Sequence, residues 1–213
     1  SISTAYRAPN IIQVNEKIVV RTGTRNDYSR YRLQQANGIS TSSSNLDSRY
    51  SMQRQATGAE NLRSEESENT SVGFVLTPVD GLTITADYWT IEKENTIGLF
   101  GRNNHTVYDM MLRWANGTNN CGSFVGNPAV VREAPDSGDV EDGYFATAGV
   151  CPFGTIKYVG DNYLNLATRT IEGYDIGIYY DVDTDFGDFA VRYIGSFIDK
   201  FEQTPGGEFA ALA

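Results

Sequence analysis

The chain has 213 residues, of which 40% are hydrophobic and 12% aromatic, with 21 glycines and a formal net charge of -10. Such a composition belongs to ordered protein rather than a disordered tail, and the acidic balance argues against nucleic acid, whose binding rests on Lys and Arg contacts to phosphate. No apolar run approaches the ~18 residues of a membrane-spanning helix, although a barrel strand needs only about 9 to 11 and leaves the average composition polar.

Ile2 to Tyr6 reads as the top of a strand, and Arg7-Ala8-Pro9-Asn10 as a turn, because proline disfavours helix at the residue before it. With no Met or signal peptide in front and a stop at Ala211-Leu212-Ala213 behind, the sequence is expected to be part of a longer protein. Ile11 to Gln35 is mixed, with a possible short strand at Lys17 to Arg21. Arg21, Arg25, Arg30 and Arg32 interleave there with Tyr28 and Tyr31. That cluster is either a solvated loop surface or a contact site for an anionic or sugar-like ligand, since Arg and Tyr are frequent anchors of recognition surfaces. Ala36 to Ala59 is rich in Ser, Asn, Gln and Gly and reads as exposed loop.

Two hairpins then stand out, Thr70 to Ile91 and Thr170 to Ile198, each an alternating strand, a tight acidic Gly turn and a second alternating strand. Successive side chains of a strand point to opposite faces. One face therefore collects Val72, Phe74, Leu76, Leu82, Ile84, Tyr88, Tyr174, Ile176, Ile178, Tyr180, Phe189, Val191 and Tyr193, and the other is small or polar. A soluble β-sandwich produces this pattern, and so does an outer-membrane barrel with an apolar lipid face, aromatic girdles and a polar lumen. Aromatics near strand ends, Gly and Asp on the opposite face, and tight turns set against very long connections favour the barrel. Between the hairpins, residues 95–165 form one long insertion. In it Val107, Met110, Met111 and Trp114 recur at helical spacing, with Asn104 as the expected cap and Asn116-Gly117 as the stop. These side chains are expected to pack on the base of the loop. A Gly-rich loop is expected after the last strand.

The order of segments resembles the C-terminal half of the barrel of TonB-dependent outer-membrane receptors. Tyr6-Arg7-Ala8-Pro9-Asn10 is similar to that family's aromatic-basic-Ala-Pro-Asn segment. Asn61-Leu62-Arg63-Ser64-Glu65-Glu66-Ser67 is similar to its Asn-Leu-x-Pro-Glu-x-Ser segment, with Ser64 in place of the usual Pro. Leu82 to Asn95 resembles an ascending strand, and Glu172-Gly173-Tyr174-Asp175 the start of the next descending one. The resemblance implies an all-β fold, an antiparallel transmembrane β-barrel, present here as an incomplete part with long extracellular loops and one short loop helix. The full barrel would have about 22 strands around an N-terminal plug. Residues 1–213 would then be a partial barrel domain without plug, TonB box or last strands, and residues 95–165 an extracellular insertion. The implied function is active transport across the bacterial outer membrane of a siderophore, cobalamin or oligosaccharide. The implied partners are the TonB-ExbB-ExbD complex, reached through the N-terminal part, and outer-membrane lipid. The competing expectation is a secreted β-sandwich carbohydrate-binding module, with a β-rich glycosidase well behind.

Under the barrel reading Cys121 and Cys151, the only cysteines, lie outside the cell where disulfides persist, and are expected to pair. Tyr28, Arg30, Tyr31, Tyr108, Arg113, Trp114 and Tyr144 are the loop candidates for ligand contact. Asp136, Asp139, Glu141 and Asp142 could gather oxygens for calcium, as could Asp181 to Gly187, although a solvated turn accounts for both and no resident metal or cofactor is expected. No Gly-x-Ser-x-Gly or His-Glu-x-x-His occurs, and a single His leaves few options for an activated nucleophile, so no enzyme is expected.

Overall fold

The structure is a computed structural model and describes residues 1–15, 17–40, 46–123 and 125–203. In chain order its elements are β1 (Ile2–Arg7), α1 (Ile11–Val14), β2 (Val19–Asn26), α2 (Tyr28–Ala36), β3 (Arg49–Ala56), β4 (Glu65–Val79), β5 (Leu82–Glu94) and β6 (Ile97–Leu99). There follow α3 (Arg102–Asn116), β7 (Val130–Arg132), α4 (Ser137–Glu141), α5 (Tyr144–Ala148), β8 (Ile156–Gly160), β9 (Tyr163–Asn165), β10 (Arg169–Thr184) and β11 (Gly187–Gln203). Two compact units emerge: the first joins Ser1–Pro9, Arg63–Ile97 and Asn165–Ala213, the second Asn10–Leu62 and Gly98–Leu164.

The first unit is one antiparallel five-stranded sheet in the order β1-β4-β5-β10-β11, open at both edges. Asp80-Gly81 joins β4 to β5. Gly81 has φ +78°, and a Cβ there would run into the Asp181 carbonyl, so both the turn and its neighbour demand glycine. The Asp181 N–H donates to the Gly81 carbonyl at 2.9 Å, tying the first turn to β10. Asp185-Phe186 joins β10 to β11. Both turns lie at one end of the sheet, and the chain leaves and re-enters at the other. That end is clasped. Arg7 Nη2 donates to Glu65 Oε1 at 2.7 Å, the Ile97 N–H donates to the same oxygen at 2.7 Å, and Asn165 Nδ2 donates to the carbonyls of Arg63 and Asn95 at 2.8 and 2.7 Å.

Cross-strand partners share a face, so the register groups side chains into rows. Val72, Tyr88, Tyr174 and Phe197 form one row, Leu76, Ile84, Ile178 and Tyr193 another, and Val182 and Phe189 a third. All thirteen side chains expected on the apolar face stand on that face of this one sheet. The strands meet edge to edge, so they do not form a sandwich of two packed sheets and that expectation is corrected. On the opposite face stand Gly73, Thr85, Asp87, Gly173, Asp175, Gly177, Tyr179 and Arg192, with Ser196 Oγ and Asp175 hydrogen-bonded. It is not wholly polar, since Val75 and Ile194 share it at 65% and 72% exposure.

The second unit carries the core. Its sheet runs β2-β3-β8-β7, antiparallel except for the parallel pair β3-β8. Met52, Val130, Ile156 and Val159 form one buried cluster, and Leu33, Leu46, Phe145, Val150 and Phe153 another. Among the described residues, the buried apolar side chains belong to this unit apart from Ile97.

Several expectations are corrected here. Residues 28–36 are helix, because Asp27 caps it by accepting the N–H groups of Ser29 and Arg30, and residues 49–56 are a strand rather than loop. Residues 41–45 of that expected loop, and the Gly-rich loop after Gln203, lie outside the described residues. The helix at 102–116 is longer than its apolar spacing and is one of five among the described residues. Gly101 is its N-cap with no side-chain bond, while Asn104 donates to the Phe100 carbonyl instead. Gly117 closes the helix at φ +61°. The buried face of α3 is polar, comprising His105, Thr106, Asp109 and Arg113, whereas Met111 is exposed.

Candidate functional site

The second unit is organised around buried charge. Asp27 leaves β2 to cap α2, Asp109 and Arg113 stand one turn apart on α3, and Arg132 ends β7. Arg132 forks onto Asp27, with Nη1 to Oδ2 at 2.7 Å and Nη2 to Oδ1 at 2.8 Å, and its Nε and Nη2 also reach Asp109 Oδ2 at 3.0 and 2.8 Å. Arg113 Nε donates to that same oxygen at 2.9 Å. Tyr50 donates to Asp27 at 2.7 Å and accepts the Ile156 N–H. The Phe153 ring receives both guanidiniums, each 4.9 Å from its centroid. Two carboxylates and two guanidiniums thus cancel inside the fold.

The local pKa directions follow from this arrangement. Burial alone would raise Asp27, but the Arg132 charge, with hydrogen bonds from Arg132, Tyr50 and the Arg30 backbone, reverses the sign and holds it below its ordinary 3.8. Burial and the neighbouring Asp27 push the Tyr50 hydroxyl upward. Burial opposes the charge on Arg132, yet Asp27 and Asp109 raise its pKa on balance. These groups are structural.

A cleft of ≈ 870 Å³ lies beside this hub, lined among others by Arg30, Asp47, Glu133, Asp136, Asp139 and Tyr144. Of the seven loop candidates, only Arg30 and Tyr144 reach it. Arg30 and Arg113 are not exposed contacts: Arg30 is buried against Asp139 at 3.0 Å and the Asp47 carbonyl at 2.8 Å, and Arg113 is bound to Asp109. Trp114 packs on the Leu33 cluster with Arg32 stacked on its ring at 4.9 Å. Tyr144 packs on the same cluster, and Asp142 raises its hydroxyl pKa through a hydrogen bond. Tyr28 and Tyr108 are half-buried, and Tyr31 is exposed.

The acidic run does not assemble a cation site. Asp136 caps α4, Asp139 is engaged by Arg30, and no group of three His, Cys, Asp or Glu among the described residues is gathered as for a metal. Asp181 to Gly187 is the end of β10 and its turn. Cys121 and Cys151 form a disulfide. Sequence reasoning missed the hub, although its signals were present: Asp27 precedes a helix as a cap does, and Asp109 and Arg113 stand at i,i+4.

No known family pattern and no curated protein matches the sequence. In structure the chain is similar to the siderophore receptor PirA from Acinetobacter baumannii, with TM-score 0.45 and 16% identity over 96% of this chain and 21% of that one. It is also similar to the siderophore receptor PirA from Pseudomonas aeruginosa, with TM-score 0.42 and 15% identity over 93% of this chain and 24% of that one. The chain spans less than a quarter of the length of either receptor. Its own architecture is mainly β, with sheets that do not close. No helix among the described residues is long and apolar enough to cross a membrane, which leaves crossing by strands untouched.

Proposed function

We propose that this chain is part of the wall and outward loops of a TonB-dependent outer-membrane receptor, which captures a scarce siderophore, cobalamin or oligosaccharide. The wall faces lipid, and the energy for import comes from the TonB-ExbB-ExbD complex acting through a plug. One observation carries the reading: the apolar face of the five-stranded sheet covers no core. Val72 and Val191, for example, are 70% and 60% exposed. A patch this extensive exceeds what a soluble monomer leaves in water.

The dimensions support a bilayer as its solvent. Apolar rows run from Val72, Tyr88, Tyr174 and Phe197 down to Val182 and Phe189. From Tyr174 to Val182 the strand rises about 26 Å, and a tilt of about 40° reduces this to about 20 Å, close to the ~25 Å apolar band of such barrels. The top row is aromatic on three neighbouring strands, as a girdle would be. One row further on, the same face turns to Thr70, Thr90, Glu172 and Lys200.

Nitroxide labels at Ile178 and Tyr179, read by electron paramagnetic resonance on the chain in lipid bilayers, test the assignment. Ile178 should collide with oxygen and be shielded from a water-soluble nickel chelate, and Tyr179 should show the reverse. Nickel access at Ile178 equal to that at Tyr179 would refute a lipid-facing wall.

A further inference from the structure

The arginines of β2 acquire a second context in the fold. Arg21, Gly23 and Arg25 share one face of the strand, and Arg21 lies directly opposite Arg54 on β3. Like charges in that relation repel. Arg102, the first residue of α3, reaches the same place from another element: a Cβ on Gly23 would stand 3.7 Å from Arg102 Nη2 and 4.0 Å from Arg25 Nη1. Two guanidiniums thus converge over Gly23. Arg25, Arg54 and Arg102, with Gly101, Asn103 and Asn104, line a hollow of ≈ 240 Å³.

Three guanidiniums face one nearby carboxylate there. The lining contains no Asp or Glu, and Asp161 beneath it, fully buried, stands 3.6 Å from Arg54. Arg102 Nη1 donates to the Met52 carbonyl and Arg25 Nη1 to the Thr24 carbonyl, neutral acceptors that leave both charges standing. Burial, followed by the nearby Arg25 and Arg54, draws the Arg102 pKa below its ordinary value, with Asp161 opposing the shift. The first residues of α3 line the same hollow and bring the positive end of the helix dipole to it, with the Gly101 N–H donating to Asp161 Oδ1 at 3.0 Å below.

We infer that this hollow binds an oxyanion, a phosphate or carboxylate group of a small ligand, held between Arg25 and Arg102 at the N-terminus of α3. Guanidinium forks match the planar edge of either group. The volume is below the ~300 Å³ at which pockets for whole drug-sized ligands begin, so the site takes one charged group and leaves the rest of the molecule outside. The inference does not depend on the membrane reading, because every residue in it belongs to the second unit.

Titration calorimetry on the chain in non-ionic detergent at low salt, with inorganic phosphate and separately with citrate, tests it. Saturable binding of at least one anion is expected, weakened tenfold or more by Arg25→Ala and by Arg102→Ala, partly restored by Arg102→Lys, and unchanged by Arg32→Ala. Phosphate binding alone assigns a phosphate group, and citrate binding alone a carboxylate. Arg25 is exposed, so its variant should fold and, in the absence of ligand, melt no lower than the parent chain. No saturable binding of either anion at millimolar concentration, or affinity untouched by Arg25→Ala, would overturn the assignment.

Discussion

Replacing Arg132 with methionine should unfold the second unit far more readily, and the geometry says by how much. The substitution keeps the bulk of the stem but removes the one cation that Asp27 touches, as well as one of the two that touch Asp109. Asp109 would keep Arg113, the Ser29 hydroxyl and the Asn127 N–H. Asp27 would keep Tyr50 and two backbone donors but no counter-charge. Stranding one partner of a buried ion pair costs about 3–5 kcal/mol. With a urea dependence of about 2 kcal/mol/M for a unit of this size, the midpoint should fall by about 1.5–2.5 M. Trp114 fluorescence in a Trp89→Phe background reports on this unit alone. Adding Asp27→Asn to Arg132→Met removes the stranded charge, so the double variant should recover at least half of the loss, a coupling that independent sites do not give. A midpoint shift below about 0.5 M, or additive losses in the double variant, would show that the hub is not held by charge compensation.

Acid should act through the same carboxylate. Asp27 has a folded pKa below its ordinary 3.8, so its contribution is present above that value and is lost as pH falls through 3.8 toward the folded value. Near-ultraviolet circular dichroism should therefore collapse in that window, and Asp27→Asn should flatten the response while lowering stability at neutral pH. Serine at both Cys121 and Cys151, 30 residues apart, removes a loop constraint of about 3–4 kcal/mol in the chain-entropy model, measurable as a lower urea midpoint for the second unit. Gly81→Val should disrupt the first turn, because a β-branched side chain opposes φ +78° and meets the Asp181 carbonyl. Limited proteolysis should then cut near Asp80, and cleavage at the parent rate would refute the argument.

The five-stranded sheet was legible in the sequence because its pattern is simple. An apolar face set against a mostly small or polar one imposes a period of two, and the thirteen apolar-face residues can be picked by counting along Thr70 to Ile91 and Thr170 to Ile198. The second unit obeys no such rule. Its strand at 49–56 alternates Arg, Ser and Gln with Tyr, Met, Arg and Ala, and only Met52 and Ala56 are buried, so composition alone reads as loop. Its central helix hides a polar face, which inverts the usual amphipathic signal and led to Met111 rather than Asp109. Arg30 and Arg113 looked like surface anchors for the same reason, since an arginine neutralised by a distant Asp139 or a near Asp109 is indistinguishable in sequence from a solvated one. Tyr31, at 39% exposure, is the candidate that an exposed position does describe.

The second unit is assembled from two stretches of chain that the first hairpin separates, and β3 meets β8 through Gln53 and Tyr158. That has a consequence for the order of events during folding. The Asp80-Gly81 hairpin needs only local contacts and can form as soon as it is made, whereas the β3-β8 pairing must close roughly a hundred residues and waits for the later stretch. Until then Asp27 has no Arg132, and the earlier stretch carries a carboxylate whose cation has yet to be synthesised. A graft of this unit onto another scaffold would have to carry both stretches at once, since Asp27, Arg30 and Arg54 all find their charged partners in the later one.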